Sequence, residues 1–168
     1  QLESFYSLRE DIVSYYAGCV VAECLANNTE EGQSEPQIFA ETLKALMQLC
    51  NGGNPLAVAL RFALEFVRLS GFALDFSKCT ACGNTAKKLF LDYARGGLVC
   101  EDCRNADSYP VSARVVATCK VIDGLSYDKL SSVSVPDAVL KDCLDVVNKY
   151  VAHCFSPLKS LAELIKLA

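Results

Sequence analysis

Two C-x-x-C pairs constrain this chain more than any other feature. Cys79-Thr80-Ala81-Cys82 and Cys100-Glu101-Asp102-Cys103 stand 17 residues apart, a spacing that reads as a four-cysteine zinc site. Zn²⁺ takes four tetrahedral ligands, with sulfur at about 2.3 Å. One tight C-x-x-C loop supplies two thiolates, and two facing loops close the shell. Gly83 follows the first pair, where a positive φ turns backbone N–H groups toward the sulfurs. Lys88 to Tyr93 is apolar and aromatic enough for a strand, Arg95-Gly96-Gly97 reads as a turn, and Leu98-Val99 leads back to the second pair. The expectation is a zinc ribbon, two knuckles joined by a hairpin, holding one structural Zn²⁺ per chain. Four thiolates leave no open position for water or substrate. Two other readings of the cysteines are four reduced structural thiols and a dithiol redox pair, although redox chemistry expects a single C-x-x-C in a βαβ setting.

The remaining six cysteines (Cys19, Cys24, Cys50, Cys119, Cys143, Cys154) are scattered, mostly inside apolar runs. They read as small buried hydrophobes. Thiolates for zinc beside reduced cysteines point to a reducing compartment, the cytoplasm. With 168 residues, 52% of them hydrophobic, the chain can bury a substantial core. No signal peptide and no apolar run of membrane-spanning length is visible. The chain starts at Gln1 rather than Met, which suggests a processed or excised piece of a longer protein. A formal net charge of −4 argues against the whole domain being a nucleic-acid clamp, which needs clustered Lys and Arg.

Hydrophobic periodicity places a first helix near Ser4 to Ala26, with Phe5, Leu8, Ile12, Tyr15 or Tyr16, Cys19 and Val20 as its apolar stripe. A polar loop covers 27–35. A second helix runs from Pro36 to about Cys50 with Phe39, Leu43, Leu46 and Met47 inward, and Asn51-Gly52-Gly53 ends it. Asn54 is the expected N-cap and Pro55 the first residue of a third helix reaching Ser70. That helix is apolar on most of its circumference and so should be buried. Arg61, Glu65 and Arg68 share one face of it, either as a solvated edge or as a basic lip beside an apolar groove. After the ribbon, 104–109 reads as loop and Pro110 as a breaker. Ser112 caps a helix to Ile122, 125–135 connects, Pro136 opens a helix to Phe155, and Leu158 to Leu167 forms the last. His153 is the only histidine and reads as a helix-end residue favoured by the dipole.

The sum is a mainly α fold: a helical bundle of about six helices carrying a small four-cysteine zinc-ribbon insert. Residues 1–77 form one helical part, 78–104 the ribbon, and 105–168 a second helical part packing on the first as one domain. Zinc peptides gain roughly 10–16 kcal/mol from their metal, so zinc is expected to fold this insert and dock it. A phosphate-binding glycine loop and a Ser-His-Asp set are both missing from the sequence, and a single histidine leaves little for acid–base catalysis. The chain does not read as an enzyme.

The order of Leu60 to Gly71, Cys79-x-x-Cys82-Gly83, Phe90, Gly96-Gly97-Leu98-Val99-Cys100, Cys103 and Leu158-Lys159-Ser160-Leu161 resembles the carboxy-terminal part of the bacterial recombination mediator RecO. The resemblance implies an OB-fold ahead of this region, which this sequence does not contain. It implies Cys79, Cys82, Cys100 and Cys103 as ligands of a structural zinc. It further implies binding to single- and double-stranded DNA, to RecR, and to the acidic, Phe-ended tail of single-stranded DNA-binding protein, in the service of loading RecA. A tail ending in an aromatic ring and a carboxylate needs an apolar slot beside a cation; Arg61, Arg68 and Lys159 are the candidates. Lys87, Lys88 and Arg95 are the candidate DNA contacts on the ribbon. The alternative is a stand-alone zinc-ribbon adaptor or transcription-type nucleic-acid-binding regulator.

Overall fold

The computed structural model describes residues 5–28, 35–85 and 88–168. Six α-helices and a three-stranded sheet follow in the order α1 (Ile12–Asn28), α2 (Pro36–Cys50), α3 (Pro55–Leu69), β1 (Leu89–Asp92), β2 (Gly97–Cys100), β3 (Tyr109–Val111), α4 (Ala113–Asp123), α5 (Asp137–Cys154) and α6 (Lys159–Leu167). Short 3₁₀ turns precede α1 at Tyr6–Arg9 and lie between α4 and α5 at Tyr127–Ser132. The mainly helical bundle with a small ribbon is the fold that the sequence predicts.

α3 is the hub. It packs against α1, α2, α4 and α5, and eleven of its fifteen residues are buried, as its nearly uniform apolar surface requires. Its start is set locally: the Asn54 side chain accepts a hydrogen bond from the N–H of Ala57, and Pro55 occupies the first turn. α1 packs against α6 as well as α3. One core joins Val20, Phe62, Val116, Leu144 and Leu161 with the ribbon residues Leu91 and Leu98.

Two inward faces differ from the periodicity reading. The predicted start at Ser4 lies outside the described residues, and from Phe5 onward the first helix is not continuous. A 3₁₀ turn ends at Arg9, and Asp11 then starts α1 by accepting the Ser14 N–H at 2.8 Å. The break shifts the phase, so Ala17, Val20, Val21 and Cys24 are buried while Ile12 and Tyr15 are exposed. On α2 the buried residues are Ile38, Thr42, Ala45 and Leu49, whereas Phe39 is 61% and Met47 51% exposed. Thr42 buries its hydroxyl by donating to the Ile38 carbonyl at 2.8 Å, so a polar residue takes the inner face. Of the polar loop read over 27–35, residues 29–34 lie outside the described residues, while Asn27 and Asn28 continue α1 instead.

The sheet order is β2-β1-β3 with antiparallel pairs throughout. β1 and β2 form the expected hairpin, with Phe90 opposite Val99 and Leu91 opposite Leu98. β3 replaces the expected loop end. Pro110 is tolerated there because β3 is an edge strand. No helix of the described residues is long and apolar enough to cross a membrane.

A candidate metal centre and its surroundings

The ribbon hairpin is two-faced by strand alternation. Phe90 and Val99 pack with Cys79 and Cys100 in a small separate cluster, while Leu91 and Leu98 turn the other way into the bundle core. The knuckle loops hang from the first face. Gly83 has φ +76°, and its N–H bonds the Cys79 carbonyl at 2.8 Å while the Cys79 N–H reaches the Asn84 carbonyl at 3.0 Å. The Thr80 N–H and hydroxyl both donate to the Leu98 carbonyl, at 2.7 and 3.1 Å. The first knuckle is thereby hinged on β2.

This folding brings together the four predicted ligands. The Sγ atoms of Cys79, Cys82, Cys100 and Cys103 all lie within 4.8 Å of one another, and those of Cys82 and Cys100 are 3.8 Å apart. Tetrahedral ligands at 2.3 Å stand about 3.8 Å from each other, so the four sulfurs fit one metal ion. Cys79 and Cys100 are buried, Cys103 is half-buried and Cys82 is exposed. The Cys100 N–H donates to the Cys79 sulfur at 3.4 Å. Burial works against a thiolate at Cys79, but backbone N–H groups of Cys82, Cys100 and Ala81 outweigh it and hold the thiol down at about 6. Cys103 is instead pushed up to about 12, chiefly by its contacts with the sulfurs of Cys100 and Cys82. Four converging sulfurs suit a cation that neutralises their thiolates.

The candidate DNA cations are placed less favourably. Lys88 stands 3.3 Å from Glu101. Arg95 pairs at 3.4 Å with Asp92, which is buried and also accepts from the Arg95 N–H and from Asn105 Nδ2. Arg104 lies over the Phe90 ring at 4.9 Å. Lys87 lies outside the described residues.

The three candidate partner residues do not share one site. Arg61 is not a solvated edge: it is buried, donates through Nε to the Leu125 carbonyl at 2.7 Å and through Nη1 to Glu65 at 2.6 Å. Arg68 is exposed and pairs with Glu65 and Asp123. Burial works against the Glu65 charge, yet the two arginines hold its carboxyl below the usual range. Arg61 also lines a cleft of about 430 Å³ between α2, α3 and the 3₁₀ turn, with Lys44, Met47 and Tyr127 around it. The Tyr127 hydroxyl is buried and has no hydrogen-bond partner among the described residues. Lys159 lies elsewhere, at the start of α6, where its N–H donates to Glu23 at 3.0 Å.

An aromatic cluster at the junction of ribbon and bundle escaped the sequence reading. The Tyr93 ring centroid is 5.3 Å from Tyr109, 5.8 Å from Tyr150 and 6.3 Å from His153. The Tyr93 hydroxyl donates to the Val146 carbonyl at 3.4 Å, and burial, with Asp145 nearby, pushes it up to about 12. Gly96, at φ +65°, lets the hairpin turn come close to Tyr150: a Cβ there would meet its hydroxyl at 3.2 Å. Only the tyrosine content hinted at such a cluster, because its members come from β1's end, β3 and α5.

Comparison with known proteins agrees with this architecture. The family model for the recombination protein O C terminal matches residues 9–162. Among curated relatives named DNA repair protein RecO, that of Clostridium novyi is 24% identical over 157 residues, covering 92% of this chain and 61% of its own length. That of Caldicellulosiruptor bescii is 27% identical over 135 residues, 79% of this chain and 55% of its own. That of Alkaliphilus metalliredigens is 29% identical over 116 residues, 68% and 47%. The chain thus spans about half to three-fifths of these relatives. With the matched model covering both helical parts and the four-cysteine ribbon between them, the chain belongs to the family of recombination protein O carboxy-terminal domains.

Proposed function

We propose that this chain is the non-enzymatic helical and zinc-ribbon domain of a cytoplasmic DNA repair and recombination mediator. In this reading it helps to load RecA on single-stranded DNA through contacts with RecR, with the tail of single-stranded DNA-binding protein, and with DNA. The observation that carries the proposal is the family match across residues 9–162, joined by relatives named for DNA repair. The metal is one Zn²⁺ held by Cys79, Cys82, Cys100 and Cys103. An all-sulfur set favours zinc over hard cations, and the ion would serve as a cross-link between the two knuckles. The peptide contact belongs to the cleft beside Arg61, where Met47 and the Tyr127 ring supply apolar wall and Lys44, paired with Glu41 at 2.6 Å, a surface cation that an acidic tail would have to recruit. Arg61 there shapes the cleft from within, since its guanidinium is already engaged.

Fluorescence anisotropy with the zinc-loaded chain tests the proposal. One probe is a labelled acidic peptide ending in Phe and the other a labelled single-stranded oligonucleotide. Saturable peptide binding that weakens with Lys44→Glu is the expected result, together with modest oligonucleotide binding. Tight DNA binding with no peptide binding would instead favour a nucleic-acid-binding regulator, and binding of neither probe would sink the mediator reading for this domain.

A further inference from the structure

Two hollows lie side by side where the ribbon turn meets the end of α5. One, of about 390 Å³, is bounded by Phe72, Tyr93, Arg95, Tyr150 and His153. The other, of about 250 Å³, is bounded by Tyr93, Asn105, Asp107, Tyr109 and His153. Tyr93 and His153 form the wall they share. Most aromatic rings in a domain of this size are core, but here Phe72 is 45% and Tyr109 51% exposed, and His153 is exposed as well. The exposed rings are braced from behind. Phe72 meets Phe155 edge-on at 5.1 Å, and Tyr109 and His153 both lean on Tyr93, whose hydroxyl is tied to α5.

We infer that this aromatic row is a stacking track for single-stranded nucleic acid, taking unpaired bases in succession along Phe72, His153 and Tyr109. The inference rests on the DNA contact proposed above and gives it a location and a chemistry. Braced rings at successive positions suit a linear ligand that offers a π-face at each step. A single cationic side chain would need only one hollow. Arg95 stands at the rim with its side chain half exposed, and its pairing with the buried Asp92 holds it in place. It is positioned to meet a phosphate. Asp107 in the smaller hollow offers a carboxylate acceptor to an exocyclic amino group, while Asn105 is already engaged by Asp92, Asp107 and Ser108. With Arg95 the one Lys or Arg lining the two hollows among the described residues, binding is led by stacking rather than by charge. That agrees with a domain of net charge −4, and it moves the weight from the lysines of the ribbon to its tyrosines.

The test compares a labelled twelve-residue thymidine oligonucleotide with an abasic oligomer of equal length and charge, each titrated with the full zinc-loaded chain. The wild-type chain should prefer the oligonucleotide with bases about tenfold or more. Tyr109→Ala and His153→Ala should each lower its affinity for that oligonucleotide about fivefold or more. The affinity for the abasic oligomer and the shallow salt dependence, a log–log slope of about −1, should stay unchanged. Tyr109→Phe should bind like the wild type, and melting curves check that every variant is folded. Equal binding of the two oligomers by wild type, or unchanged binding by both alanine variants, overturns the track and leaves the DNA contact standing. No binding of either oligomer overturns both. If an arginine-rich peptide binds in a Tyr109-dependent way while the oligonucleotide does not, the hollows are a cation cage and the inference fails.

Discussion

Leu158 precedes α6 and has no side-chain acceptor, so the start of that helix must find one elsewhere. Glu23 of α1 supplies it, accepting the N–H groups of Lys159 at 3.0 Å and Ser160 at 2.8 Å together with the Ser160 hydroxyl. A carboxylate at a helix N-terminus is favoured by unpaired N–H groups and by the dipole. Partial burial works against the Glu23 charge, but these donors outweigh it and hold the carboxyl below its ordinary value. A depressed carboxyl contributes stability that is present above its unfolded pKa, near 4.5, and lost as pH falls through the lower folded value. Glu23→Ala should therefore cost about 1–2 kcal/mol in urea unfolding at pH 7, and the gap between variant and wild type should narrow below pH 4. A gap that stays constant with pH would mean the cap does not depend on charge. Gly97 gives a second prediction at this scale. A Cβ there would lie 2.6 Å from the Asp75 carbonyl and 2.8 Å from Thr80 Cγ2, where Asp75 bridges to β2. Gly97→Ala should destabilise the protein by about 1–3 kcal/mol, and amide exchange at Leu98, whose N–H bonds the Asp75 carbonyl at 3.0 Å, should speed up.

The ribbon is an element with two anchors of different kinds. The metal set would hold the knuckle end. The turn end is held by Leu91 and Leu98 in the bundle core, by Tyr93 against α5 and by the Asp75 bridge. These docking contacts are made by residues other than the four cysteines, so the share that zinc has in docking the insert can be tested apart from them. Removing the metal with a chelator, or substituting Cys100→Ser, should free the segments around 79–85 and 101–108 to exchange. Leu91 and Leu98 should stay protected and the helical circular dichroism should barely change. Loss of protection at Leu91 and Leu98 on chelation would show that the metal carries the docking after all. The four ligands were legible in the sequence because their spacing is local. So were the Asn54 and Ser112 caps, which are set within four residues. β3 was not, because Tyr109-Pro110-Val111 is short, contains a proline, and becomes a strand only by pairing with Leu89–Leu91. The inner face of α2 was not either. Both sides of that helix carry large apolar residues, and only the packing of α3 against it decides for Ile38 and Ala45 over Phe39 and Met47.

Across the whole molecule, the helices before the ribbon and those after it share one core, and charged groups cross the seam at Glu23 and, most deeply buried, at Arg61. Arg61 rises from α3 to hold the Leu125 carbonyl, its Cζ lies 5.5 Å from the centroid of the Tyr127 ring, and Glu65 beside it links through Arg68 to Asp123 at the end of α4. The sequence placed Arg61, Glu65 and Arg68 on one face but could not rank their burial, since Leu125 and Tyr127 arrive from more than sixty residues away. A buried pair is costly to break and cheap to replace, because removing one partner strands the other's charge. Arg61→Met alone should cost about 3–5 kcal/mol, leaving Glu65 to Arg68 and the Leu125 carbonyl without its donor. Arg61→Met combined with Glu65→Leu fills similar volume without a stranded charge and should recover most of that loss. Urea unfolding of wild type, both single variants and the double variant completes the cycle. If the double variant is as unstable as the sum of the singles, the seam is held by the arginine's bond to Leu125 and its contact with Tyr127 rather than by the ion pair.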